Sequence, residues 1–236
     1  MSRYLRPILW SLGVAALAGA LAWLLVVSPH VRYRHLRVVG AQRAEAAHLR
    51  HLADLPLGEP LVMLDLDRAA AGAERHPWVA SVEVRRSFPD TVVLQVRERE
   101  PVAILHVDGL YLVDESGEPF VRAQPGDLDH PYLTGLSPVL AAEQPEVARR
   151  VVREGLAWLA VLQDKGGLPE SAISELHFSE QSGYTVILRN GGEVLLGFAD
   201  RERASRLVQL ARNGLDLSRP QRVDLASDRL AVVTPL

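Results

Sequence analysis

The chain has 236 residues, with 26 basic and 29 acidic side chains and a formal charge of −3, which suits one large or two small domains. So mild a balance leaves no electrostatic footprint for nucleic acid. The absence of cysteine excludes disulfides, thiolate metal sites and a thiol nucleophile.

Residues 1–7 form a short tail before Ile8–Ser28, ILWSLGVAALAGALAWLLVVS, 21 residues without a charge. As a helix at ~1.5 Å per residue this run spans ~30 Å, the thickness of a bilayer's hydrocarbon core. Arg3 and Arg6 precede it, and Trp10 and Trp23 lie near its two ends, where interfacial anchors belong. A cleaved signal peptide is the rival, with Ala20-Leu21-Ala22 as its small-residue site. Cleavage there leaves the apolar Trp23-Leu24-Leu25-Val26-Val27 at a new amino terminus, so an uncleaved transmembrane helix is the expectation. Arg32, Arg34 and Arg37 nearly balance Arg3 and Arg6, so charge bias leaves the orientation tied. A seven-residue tail before a body of some 200 residues points to a cytoplasmic amino terminus, with residues 30–236 outside the cytoplasmic membrane.

After a juxtamembrane linker, 29–34, the β-branched run Leu36–Val39 ends at Gly40 and reads as a strand. Ala44, Ala47, Leu49 and Leu52 mark a helix within 43–55, broken by Pro56, Gly58 and Pro60. A second helix runs from Asp65 or Asp67 to Arg75, with Asp67 a candidate cap, and Pro77 stops it. Val82 and Val84 then alternate with polar residues, Pro89-Asp90 makes a turn, and Val92, Leu94 and Val96 alternate again. This predicts a hairpin with one apolar and one wet face. Trp78, at the handover from helix to strand, is the expected core plug. The order strand, helix, helix, strand, strand over 35–101 describes a small α+β module with helices on a sheet.

Pro101 marks the next boundary. Strands are expected at 102–107, 110–113 and 118–122, followed by a Pro-, Gly- and Asp-rich loop over 123–142. A helix follows from Pro145 to Gln163, with Val147, Val151, Leu156, Leu159 and Leu162 marking its buried face. Strands at 173–178, 184–189 and 193–197, a helix over Arg201–Asn213 capped by Asp200, and strands at 222–226 and 229–234 complete 102–236 as a larger mixed β domain.

Chemistry is hard to find. His48 and His51 share a helix face, but no third metal ligand is near them. Asp65 and Asp67 fit a helix start. Glu98 and Glu100 come from one strand end, whereas a glycosidase draws its two acids from separate elements; they read as solvated charges. There is no G-x-S-x-G, S-x-x-K, P-loop or G-x-G-x-x-G. What remains is strand edges. The last strand, Arg229–Thr234, is apolar, and at a sheet edge it would offer unpaired backbone groups to a partner strand.

Five segments carry a resemblance: LRVVGAQR at 36–43, HPWVASVEVRRSFPDTVVLQVREREPVAIL at 76–105, VDESGEPF at 113–120, DRERASRLVQLARNG at 200–214 and RVDLASDRLAVV at 222–233. With them the chain resembles the FtsQ/DivIB family of bitopic bacterial cell-division proteins. That resemblance implies a cytoplasmic tail (1–7), a transmembrane helix (8–28), a POTRA domain (35–101) and a β domain (102–236). It implies no catalytic activity, no cofactor, no metal and no small-molecule substrate. It implies a divisome scaffold in the inner membrane at the septum, linking early and late division proteins and helping to control septal peptidoglycan synthesis. The implied partners are FtsB-like and FtsL-like bitopic coiled-coil proteins, received by strand addition at Ser227, Asp228, Arg229, Leu230, Ala231, Val232 and Val233. The best-known relatives place an arginine and a tyrosine where Ala226 and Ser227 stand here. The expected structural core of the first module is Trp78, Val82, Val84, Val92, Leu94 and Val96. Two alternatives are a POTRA-bearing secretion or assembly factor, which usually has a barrel or several POTRA units, and a membrane-anchored cell-wall hydrolase, which needs a catalytic set.

Overall fold

The computed structural model describes residues 30–164, 168–198, 219–225 and 232–235, with 10, 13–20, 23, 203, 205, 206, 209, 210, 213 and 215. Residues 10, 13–20 and 23 are helical. Among the described residues no helix is long and apolar enough to cross a membrane. Much of the 8–28 run and most of the expected Arg201–Asn213 helix lie outside them. The chain divides into two compact units, Met1–Arg99 and Glu100–Leu236.

In the first unit, β1 (His35–Val39) leads to α1 (Ala46–Ala53), a 3-10 turn at Leu61–Met63, α2 (Leu66–Ala73), β2 (Val79–Ser87) and β3 (Thr91–Glu98). Leu49, Ala53, Ala69 and Ala73 turn the buried stripes of the two helices onto Val92, Leu94 and Val96 of the sheet. The α1 helix stops where Asp54 enters the left-handed region at φ 44°. At α2 the cap is Asp65, not Asp67: the Asp65 side chain accepts from the Arg68 N–H at 3.0 Å. Asp67 instead lies in the first turn, where a carboxylate favours the positive end of the helix dipole. The helices cross closely because Gly72 has no side chain. A Cβ there would collide with the Leu52 carbonyl oxygen.

The sheet order is β1-β3-β2, with β1 parallel and β2 antiparallel to β3. Its central strand departs from strict alternation. Val93 belongs to the face away from the helices, yet it is buried. Its register partners are Arg37 on β1 and Arg85 on β2, and arginine stems cover apolar neighbours while their heads stay wet. Val93 is thus buried on the outer face, while Gln95 and Arg97 on that same face stay exposed, a local departure that a hairpin reading does not anticipate.

In the second unit β4 (Ala103–His106), β5 (Leu110–Val113), β6 (Pro119–Arg122), β7 (Tyr132–Thr134), α3 (Pro138–Glu143), α4 (Pro145–Asp164), β8 (Ile173–Ser179), β9 (Gly183–Leu188), β10 (Glu193–Gly197), β11 (Gln221–Asp224) and β12 (Val232–Pro235) follow in order. They build a nine-stranded sheet, β12-β11-β10-β9-β8-β7-β4-β5-β6. The segment expected to be a crossing loop contains both α3 and β7. Strand β7 has three residues and runs parallel to β4 on one side and to β8 on the other. It is the seam that makes one sheet of two groups of strands. The buried stripe of α4 is Ala148, Val152, Leu156, Leu159 and Leu162. Val147 and Val151, expected on that face, are only half-buried, because the stripe is rotated by one residue in its first two turns. Tyr184 plugs the core beneath α4, and its hydroxyl donates to the Val151 carbonyl at 2.9 Å.

Candidate functional site

The carboxyl-terminal strand ends the long sheet. β11 runs parallel to β10, with Glu193, Val194 and Leu195 opposite Arg222, Val223 and Asp224. β12 runs antiparallel to β11 and, among the described residues, pairs with nothing on its outer side. Val223 is fully buried, whereas its register partner Val233 on the same face is 45% exposed. Val232, opposite Asp224 on the other face, is 57% exposed. All four residues of β12 are exposed. Its place therefore rests on the backbone ladder to β11, and its outward N–H and C=O groups have no ladder partner among the described residues, the condition under which an edge accepts a further strand. Of the residues expected to receive a partner, Val232 and Val233 stand on this edge. Ser227, Asp228, Arg229, Leu230 and Ala231 lie outside the described residues.

In the first unit Val92, Leu94 and Val96 are buried on the helix-facing side. Val82 and Val84 are half-buried at the core's margin, as expected of the outer strand β2. Trp78 is also only half-buried, a correction to its reading as a core plug. It packs against the core from the side, with the Arg43 guanidinium 4.5 Å above its ring.

The residue that sequence reasoning missed is Glu98. Its Oε1 accepts from the backbone N–H groups of Gln42 at 2.8 Å, Arg43 at 2.9 Å and Ala44 at 2.8 Å. Glu45, the residue before α1, makes no side-chain capping bond. The carboxylate from the end of β3 therefore takes the amides that lead into the helix and pins the β1–α1 loop to the sheet. Burial pushes the Glu98 carboxyl up, but the amides of Ala44, Arg43 and Gln42 and the Arg43 charge outweigh it and hold it below the ordinary range. Its partners are more than fifty residues away, so no local pattern announces them. His76 is buried beside His48, ring centroids 5.0 Å apart. Burial, then the His48 charge, depress its imidazole. His51 remains on the exposed helix surface.

One polar cluster invites a catalytic reading. Thr134 on β7 and Glu175 and His177 on β8 meet on the sheet face away from α4. The Thr134 hydroxyl reaches the Glu175 carboxylate and lies 2.8 Å from His177 Nδ1. In a nucleophile–base–acid triad, the nucleophile and the acid engage opposite imidazole nitrogens. Here the Glu175 oxygen lies 3.5 Å from the same Nδ1, so the geometry is that of a cross-strand polar contact. Among the described residues no group of three His, Asp or Glu side chains is placed to hold a metal ion.

Among the described residues the second unit's sheet ends in an open strand of the kind that receives a partner strand, the build of a protein-binding module. Residues 31–99 match the POTRA domain, FtsQ-type, and residues 103–226 match the cell division protein FtsQ/DivIB, C-terminal domain. The chain is 38% identical over 209 residues to the cell division protein FtsQ of Anaeromyxobacter sp. (strain K), covering 87% of this chain and 71% of that one. It is 35% identical over 210 residues to FtsQ of Myxococcus fulvus (strain ATCC BAA-855 / HW-1), covering 85% and 74%. The solved major extracytoplasmic domain of DivIB from Geobacillus stearothermophilus, in its trans isomer, is similar at 16% identity and a TM-score of 0.31, covering 48% of this chain and 87% of that one. The chain belongs to the FtsQ/DivIB family of cell-division proteins, scaffolds of the divisome.

Proposed function

We propose that this chain is a non-catalytic, single-pass divisome scaffold that receives an extended segment of a partner along β12. Residues 8–28 span the cytoplasmic membrane with the amino terminus inside. The POTRA domain (35–101) and β domain (102–236) work outside it at the septum, linking early and late division proteins and tuning septal peptidoglycan synthesis. The partners are FtsB-like and FtsL-like bitopic coiled-coil proteins, docked over residues 227–233. The observation that supports this reading is the edge position of β12, with Val232 and Val233 exposed on opposite faces. A strand added there gains main-chain hydrogen bonds along its length and an apolar contact on each face.

Photo-crosslinking residues at Val232 and Val233 in dividing cells, with captured proteins identified by mass spectrometry, test this directly. Capture of small bitopic coiled-coil proteins is expected, and Val232→Pro is expected to abolish it at Val233 by disrupting the strand's backbone pairing. Full incorporation with no capture at either position would refute docking at this edge.

A further inference from the structure

In the first unit, the described large apolar residues left exposed after residue 30 are Val39, Leu57, Val62, Met63 and Phe88. All but Val39 gather at one end. Leu57, Val62 and Met63 are 75%, 36% and 63% exposed, in the loop between α1 and α2. That loop is bonded to the chain just after the 8–28 run: Tyr33 N–H donates to Glu59 at 2.8 Å, Gly58 N–H to Tyr33 at 2.9 Å and Leu61 N–H to Val31 at 3.0 Å. Phe88, 60% exposed, tips the β2–β3 hairpin at the same end. The Asp90 carbonyl accepts from Arg34 N–H at 2.9 Å, and Arg86 Nε donates to Leu61 at 2.7 Å.

From these contacts we infer that this end of the POTRA unit sits in the headgroup layer of the membrane, with Leu57, Met63 and Phe88 inserted at its apolar boundary. The inference rests on the reading of 8–28 as a membrane span. Val31 lies three positions after Ser28, a reach of about 10 Å at full extension. The headgroup layer on each side is about 5–7 Å thick, and backbone-paired segments lie about 5 Å apart. The 57–63 loop is therefore held at the interface by the chain's own connectivity, and apolar side chains there bury at the headgroup–acyl boundary. Charge agrees with this placement. The guanidinium groups of Arg37 and Arg85, on either side of Val93 and a few residues behind the tip, pair with no other described residue. Juxtamembrane arginines are attracted to anionic lipid.

The cysteine-free chain makes single-site labelling clean. Leu57→Cys, Met63→Cys, Phe88→Cys, Val39→Cys and Ala18→Cys would each carry an environment-sensitive fluorophore, in the full chain reconstituted into vesicles of phosphatidylethanolamine and phosphatidylglycerol. Quenching is then compared between aqueous iodide and headgroup spin-labelled lipid. The expected result is loss of iodide quenching and gain of lipid quenching at 57, 63 and 88, with iodide access kept at 39 and a deep signal at 18. A deep label at 18 with water-exposed labels at 57, 63 and 88 would overturn the inference, leave the span intact and assign the patch to a protein partner. A water-exposed label at 18 would overturn the span itself, and the inference with it.

Discussion

Removing the Glu98 carboxylate should uncouple the β1–α1 loop from the sheet. In Glu98→Ala the N–H groups of Gln42, Arg43 and Ala44 lose an acceptor held at 2.8 to 2.9 Å. A hydrogen bond to a charged group contributes about 1.5–3 kcal/mol. The three share one oxygen and the site is half-exposed, so water recovers part of the loss and the sum is not additive. A total of about 2–3 kcal/mol follows. Glu98→Gln keeps one carbonyl oxygen but turns a donor toward the Arg43 N–H, which at present also meets Oε2 at 3.1 Å. That variant should lose about 1 kcal/mol. Hydrogen exchange reads the effect locally: the amides of residues 42–44 should lose protection in both variants, more in the alanine one, and urea unfolding of the first unit should shift in the same order. The acid dependence has a definite sign. The folded-state carboxyl titrates below its ordinary 4.5, so its stabilisation is complete above that value and is lost as pH falls through the folded-state pKa. The gap between wild type and Glu98→Gln should therefore close in acid. Unchanged exchange at 42–44 in Glu98→Ala, with an unshifted midpoint, would refute the clamp.

Trp78→Ala should cost about 1–2 kcal/mol, below the ~3–5 kcal/mol of a fully buried ring; a double-mutant cycle with Arg43→Ala should return a coupling of about 0.5–1 kcal/mol in urea denaturation. Gly72→Ala should destabilise the first unit by about 1–3 kcal/mol, because the new methyl meets the Leu52 carbonyl rather than space; a neutral or stabilising midpoint shift would contradict the close helix crossing. Tyr184→Phe should destabilise the second unit by about 1 kcal/mol by leaving the Val151 carbonyl without its 2.9 Å donor, read as a lower thermal midpoint with the sheet's circular dichroism unchanged.

Much of the first module was legible because its signals are local. Val82, Val84, Val92, Leu94 and Val96 follow a period of two, and that period alone puts them on one face. The helices α1 and α2 were announced by alanine-rich stretches between breakers, though which aspartate caps α2 depended on a 3.0 Å contact. Trp78 was placed at the right junction and assigned too much burial, since a large aromatic at the end of a helix can seal a core from its margin. In α4 Ala148 and Val152 turn inward in place of Val147 and Val151, a rotation of the stripe by one residue that the helical period tolerates.

Sequence alone determined where most of the described strands and helices would form, the POTRA-like order of the first module, and an apolar strand near the carboxyl end. These depend on neighbours within a few residues, which propensity and periodicity report. Tertiary structure decided what depends on partners far along the chain. Tyr132-Leu133-Thr134 is too short to stand out from its loop, yet it joins the two halves of the sheet by pairing with β4 and β8. Glu98 became a clamp only when folding brought it to amides 54 to 56 residues away. Among the described residues the last strand is an edge, since β11 is its one ladder partner and β11 pairs with β10 on the far side. Strand order is set by long-range pairing, which no local pattern encodes.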